Sequence, residues 1–156
     1  MSTTHTLSIA TAAATALIAT SAAGAAVPSH AALTIRHQTR GCHSWSLNGS
    51  PFRASQTVGL RRGGSLTVTD NDVMAHLLVE TSGPMNAAIA RVPGAMHDMA
   101  TNLEGPGLMA HMGATVKVSF TRAGVYHFTT KTGDDYMPGI KTIGEDNILR
   151  LTVKVR

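Results

Sequence analysis

The stretch TRGCHSWSLNG carries the only cysteine of the chain, Cys42, followed by His43 and then by the only tryptophan, Trp45. Thiolate and imidazole are both metal ligands. A single thiol cannot close an internal disulfide, so Cys42 pairs between chains, stays free or binds metal. Sulfur recurs as thioether. Met74, Met85, Met96, Met99, Met109, Met112 and Met137 are interspersed with His37, His76, His97, His111 and His127. That mixture suits copper, Cu(I) above all. Its densest runs are MHDM at 96–99 and MAHM at 109–112. Met96, His97, Met99, Met109, His111 and Met112 are thus candidates for loose Cu(I) capture. The competing reading is that these methionines fill irregular gaps under a long loop.

Other chemistry finds little support. Gly63-Gly64 precede a strand pattern rather than a helix, so they make no phosphate loop. No Ser-His-Asp spacing stands out. Asp134-Asp135 reads as a solvated turn. Thirteen Lys and Arg against nine Asp and Glu give a net charge of +4. The basic residues are spread out, and Arg61-Arg62 reads as a hairpin tip, so no nucleic-acid partner is expected.

All of these charges lie after Ala31. Leu7 to Ala26 is rich in Ala, Thr and Ser, with no charged residue, and small residues follow. Residues 1–31 are therefore expected to be a signal peptide, cleaved after Ala26 or after Ala31, leaving no membrane span. The expected destination is secreted, periplasmic or cell-surface. Residues 32–156 are enough for one domain with a real core.

The elements that must position the candidate ligands are strands. Leu66 and Val68, Val116 and Val118, and Leu149 to Val155 alternate with polar residues, the period of a half-buried strand. HLLVET at 76–81 and VYHFTT at 125–130 add two more. Turn signals separate them at Asn48-Gly49, Gly63-Gly64, Asp70-Asn71-Asp72 and Ala123-Gly124. Short strands punctuated in this way define an all-β sandwich or barrel. Residues 82–113 break the pattern with three prolines, five glycines and five methionines. One strand at 87–92 and a short helical turn near 96–103 are expected there. In CHSWSL a regular strand puts His43, Trp45 and Leu47 on one face and Cys42, Ser44 and Ser46 on the other. Trp45 and Leu47 set the inward face, so Cys42 and His43 share one metal only at a bulge or strand end.

FRASQTVGLRRGGSLTVTDNDVMAHLLV (52–79) resembles the first half of a cupredoxin domain, in which a histidine opening a strand after an Asn/Asp loop is a copper ligand. GATVKVSFTRAGVYHFTTKTGDDYMPGIKTIG (113–144) resembles that family's final hairpin and ligand loop, with Phe120, Gly124, Tyr126 and Phe128 in the matching positions. The resemblance covers about residues 45–156 with 82–113 as an insertion. It implies a Greek-key, cupredoxin-like β-sandwich with His76 as a copper ligand. The ligand loop diverges: the cysteine position holds Thr130 and the histidine position Gly133, with only Met137 near the methionine position. Cys42 would then replace the missing thiolate from another strand, and one more His or Met, with His43 and Met137 as candidates, would close the set. The expected function is an exported copper-binding protein, handling copper or carrying electrons to a redox or copper-transfer partner, without catalysis. The alternative is a metal-free extracellular binding or structural module on the same fold.

Overall fold

The computed structural model describes residues 26–37, 43–84, 86–132 and 149–156. Within them lie ten strands: β1 (His30–His37), β2 (His43–Leu47), β3 (Ser55–Leu60), β4 (Ser65–Asp70), β5 (His76–Ser82), β6 (Ala88–Val92), β7 (Leu108–Met109), β8 (Thr115–Ser119), β9 (Gly124–Thr132) and β10 (Arg150–Val155). They form two five-stranded sheets, ordered β2-β1-β4-β8-β6 and β3-β10-β9-β5-β7. Each is mixed: β1 runs parallel to β4 and β3 parallel to β10, while the other pairs are antiparallel. The chain passes repeatedly from one sheet to the other, giving the all-β sandwich that the alternation and turn signals imply. No helix among the described residues is long and apolar enough to cross a membrane.

The alternation explains the layers. Leu66, Val68, Val116 and Val118 of one sheet meet Leu151, Val153 and Phe128 of the other in a single core. Full burial of one such aliphatic side chain contributes about 1.5–3 kcal/mol. Ala31, Leu33 and Ile35 carry β1 into the same core. Pro28 and Ser29 lead into it, their carbonyls accepting from Arg61 N and Ser65 N at 2.9 Å each. Arg61 and Arg62 are exposed beside Gly63, but the turn is not the expected hairpin tip: it crosses from β3 in one sheet to β4 in the other.

Trp45 is completely buried and Leu47 packs against the core, so β2 has the expected parity. Ser44 and Ser46 are buried as well. The chain after β2 folds back: Trp45 and Arg53 exchange backbone bonds of 3.0 and 3.1 Å, and the Ser46 hydroxyl donates to the Ser50 carbonyl.

Residues 82–113 are built into both sheets. β6 extends one along β8, and β7 extends the other along β5. The helical turn expected near 96–103 does not form. Instead Met99 N donates to the Ala110 carbonyl at 3.0 Å, and Arg91 grips Asp98 at 2.6 and 2.8 Å. Those ties hold the segment open against its neighbours, after Pro93-Gly94 has broken the strand.

The expected final hairpin is instead a turn that crosses from β8 in one sheet to β9 in the other, and it explains the Phe120, Gly124, Tyr126, Phe128 pattern. Phe120 meets Tyr126 and Phe128 edge to face, with ring centroids 5.0 and 6.1 Å apart. The Tyr126 hydroxyl donates to the Arg122 carbonyl at 3.0 Å. Gly124 has φ 144°, and a Cβ there would lie 2.6 Å from Pro84 Cγ. Gly124→Ala should therefore destabilise the fold by about 1–3 kcal/mol, read as a lower urea midpoint with unchanged slope.

Candidate functional site

The strand registers gather chain ends at one pole. In the parallel pair Ile35 lies opposite Asp70, so β1 and β4 finish together. β2 begins beside them, His37 opposite His43. β8 starts here too: Asp70 N donates to the Ala114 carbonyl at 2.8 Å, and Gly113 N to the Asp70 carbonyl at 2.5 Å. In the other sheet, His76 opens β5 opposite both Met109 of β7 and Thr132 at the end of β9.

A turn stabilised by two aspartates carries the chain from β4 to β5. Asp72 N donates to Asp70 Oδ1 at 3.0 Å, and Asp72 Oδ1 accepts from Val73 N at 2.6 Å and Met74 N at 3.2 Å. Such side-chain acceptors fix a tight turn without helix or ladder. His76 is thereby brought back onto Asp70. Its Nδ1 lies 2.8 Å from Asp70 Oδ2, with both side chains completely buried. An Nδ1–H donated to a carboxylate leaves the lone pair of a neutral ring on Nε2. Carboxylate-braced imidazole is the arrangement in which metal-binding histidines are usually held.

Asp70 belongs to the site but is absent from the sequence expectations, where Asp70-Asn71-Asp72 counts only as a turn. Strand parity is the signal that could have found it. Leu66, Val68 and Asp70 share one face of β4, and all three are buried. An acidic residue in an inward position six residues before a histidine asks for a partner.

Thr130, in the position the resemblance gives to cysteine, is also buried, opposite Leu78. Its hydroxyl has no hydrogen-bond partner among the described residues. Cys42, Met137 and Gly133 lie outside the described residues, as does the His43 side chain. The strands flanking the first segment, ending at His37 and starting at His43, meet at the pole. So does Thr132, which precedes the second. Among the described residues no group of three or more His, Cys, Asp or Glu converges as a metal site.

The Met/His candidates separate. Met109 is fully buried in the core beside His76 and His111 is nearly so, whereas Met96, Met99 and Met112 are exposed and His97 faces solvent. Gap filling thus accounts for Met109 and for buried Met74, but not for the other three. His127 is exposed, 3.3 Å from the Thr152 hydroxyl, in line with the alternation of β9.

No family model and no curated protein matches the chain. Remote likenesses appear among solved structures. Rusticyanin from Thiobacillus ferrooxidans is 11% identical over 82% of this chain and 78% of its own, with a TM-score of 0.36. Fet3p, a multicopper oxidase that functions in iron import, is 12% identical over 81% of this chain and 27% of its own, at 0.43. A cysteine protease inhibitor from Entamoeba histolytica is 9% identical over 83% of this chain and 99% of its own, at 0.39. The first two have cupredoxin folds and the third is named for a different activity. Likenesses this remote assign no ligand or activity.

Burial raises the Asp70 carboxyl above its ordinary 3.8, outweighing the lowering effects of the His76 hydrogen bond and charge. The folded chain therefore holds this proton more tightly than the unfolded chain. That contribution to stability is complete below the ordinary carboxylate value and is lost as pH rises through the folded value. Asp70→Asn removes the titration. Denaturation of the metal-free proteins between about pH 3 and 7 should show wild type losing stability relative to Asp70→Asn as pH rises. A gain instead would mean that the ion pair outweighs the burial penalty.

Proposed function

We propose that the chain is an exported copper-binding protein, with His76 as the anchoring ligand at the pole of a cupredoxin-like sandwich. The observation that supports this reading most is the buried Asp70–His76 pair. It is a braced imidazole where the strands flanking the Cys42 segment and β9, leading to the Met137 segment, all end. Cys42 supplies the thiolate that Thr130 cannot, and one more imidazole or thioether, from His43 or Met137, closes the donor set. The chemistry of this set, one thiolate with an imidazole and a further imidazole or thioether, fits copper better than hard cations. Copper held there would exchange one electron or be passed to a redox or copper-transfer partner. The protein's part is to fix the His76 ring through Asp70 and to keep water from it by burial.

A metal-free module is the second reading. It is favoured by Thr130 at the expected cysteine position and Gly133 at the expected histidine position. Purified mature protein should decide between them. The copper reading expects about one Cu(II) per chain, lost in His76→Ala. It also expects an intense thiolate-to-copper absorption in the Cu(II) form that vanishes in Cys42→Ser. Failure to bind copper in either oxidation state would leave the metal-free module.

Export is part of the proposal, and the start of β1 bears on the cleavage point. Removal after Ala31 would take His30 and buried Ala31 from the strand and the Pro28 and Ser29 carbonyls from their partners. Removal after Ala26 leaves all of these in place. Intact-mass measurement of the exported protein should therefore place its first residue at Val27.

A further inference from the structure

A cleft of about 450 Å³ lies on the flank of the insertion, between the end of β6, the segment after it and the turn entering β8. Arg91, Met96, Asp98, His111, Gly113 and Thr115 line it. Met96 is 62% exposed, although a thioether gains nothing from water. Core packing explains the buried methionines of this chain but cannot explain this one. His111, by contrast, is 8% exposed and held in place. Its Nδ1 lies 3.0 Å from the Met112 carbonyl, an acceptor only, so Nδ1 carries the proton. In the neutral ring the available lone pair is then on Nε2. A backbone carbonyl braces this imidazole as Asp70 braces His76.

The one carboxylate of the cleft is already engaged. Arg91 Nη2 reaches both oxygens of Asp98, at 2.6 and 2.8 Å. That hydrogen bond, ahead of the charges of Arg91, His111 and His97, lowers the Asp98 pKa. Asp98 is therefore ionised and neutralised by a guanidinium. What remains for a guest is soft: an exposed thioether and a fixed imidazole lining one cleft, with the exposed thioethers of Met99 and Met112 on neighbouring stretches of the same segment. Hard dications need free carboxylate or carbonyl oxygens, whereas Cu(I) prefers sulfur and imidazole.

We propose that this cleft is a second metal site, taking Cu(I) between the Met96 thioether and His111 Nε2. It shares no ligand with the His76 pole and does not depend on copper binding there. Its place beside the pole follows from one turn: Gly113, which lines the cleft, donates its backbone N–H to Asp70.

The test is an anaerobic titration of the mature protein with Cu(I) against a chromophoric Cu(I) chelator, in wild-type and His76→Ala backgrounds. The His76→Ala protein should still take up about one Cu(I), with the methyl resonance of Met96 and the ring resonances of His111 shifting together. Met96→Leu and His111→Gln should each weaken that uptake by about tenfold or more. In the wild-type background both should leave His76-dependent copper in place, so the two sites can fail separately. The proposal is overturned if His76→Ala protein takes up no Cu(I), or if Met96→Leu, an exposed change of similar volume, leaves uptake unaltered. Equal affinity for Zn(II) would overturn the assignment to a soft ion.

Discussion

Parallel pairing of β1 with β4 is the constraint on which the site depends. It sets Ile35 opposite Asp70 and so finishes both strands at the same level. Antiparallel partners then start there, and the ends of β1, β4 and β7 all fall at one pole. Residues far apart in sequence become neighbours because strand direction and register leave them no other place. A slip of one residue in β4 would turn Asp70 out to solvent and Leu66 and Val68 with it, so the hydrophobic core enforces the position of the carboxylate.

Burying that carboxylate has a cost. An unpaired buried charge is strongly unfavourable, and a hydrogen-bonded pair recovers much of the loss without necessarily adding net stability. Two apolar residues of similar shape could hold this corner of the sandwich at least as well. What they could not do is fix which nitrogen of His76 bears the proton. The Asp70–His76 contact is therefore better understood as a determinant of orientation than of stability.

Much of this arrangement was legible in the sequence, for definable reasons. Period-two alternation marked β4, β8, β9 and β10 because each has one face in the core, whereas β5, continuously buried at its start, shows as a short apolar run. Trp45 set the parity of β2. His76 stood out by its place at the opening of a strand. Asp70 did not, since a turn motif and a buried carboxylate use the same residues and only parity separates them. The helical turn expected at 96–103 failed because local pattern does not report tertiary ties such as Met99 to Ala110. The division of the methionines was equally hidden: MHDM and MAHM look alike, yet Met109 is core and Met96 is surface. Composition specifies ligand types, but only register and burial decide which of them can meet.

The position of β10 has a kinetic consequence. It follows every other strand in the sequence, yet it lies inside its sheet, between β3 and β9. Its parallel match with β3 joins Ser55 to Arg150 across most of the chain. Closing so long a loop is entropically expensive and slow, and sheet order rich in such pairings folds late. Until β10 arrives, β3 and β9 have no shared partner and the core lacks Leu151, Val153 and Val155. A chain synthesised from its N-terminus thus leaves this sheet unclosed until β10 has emerged.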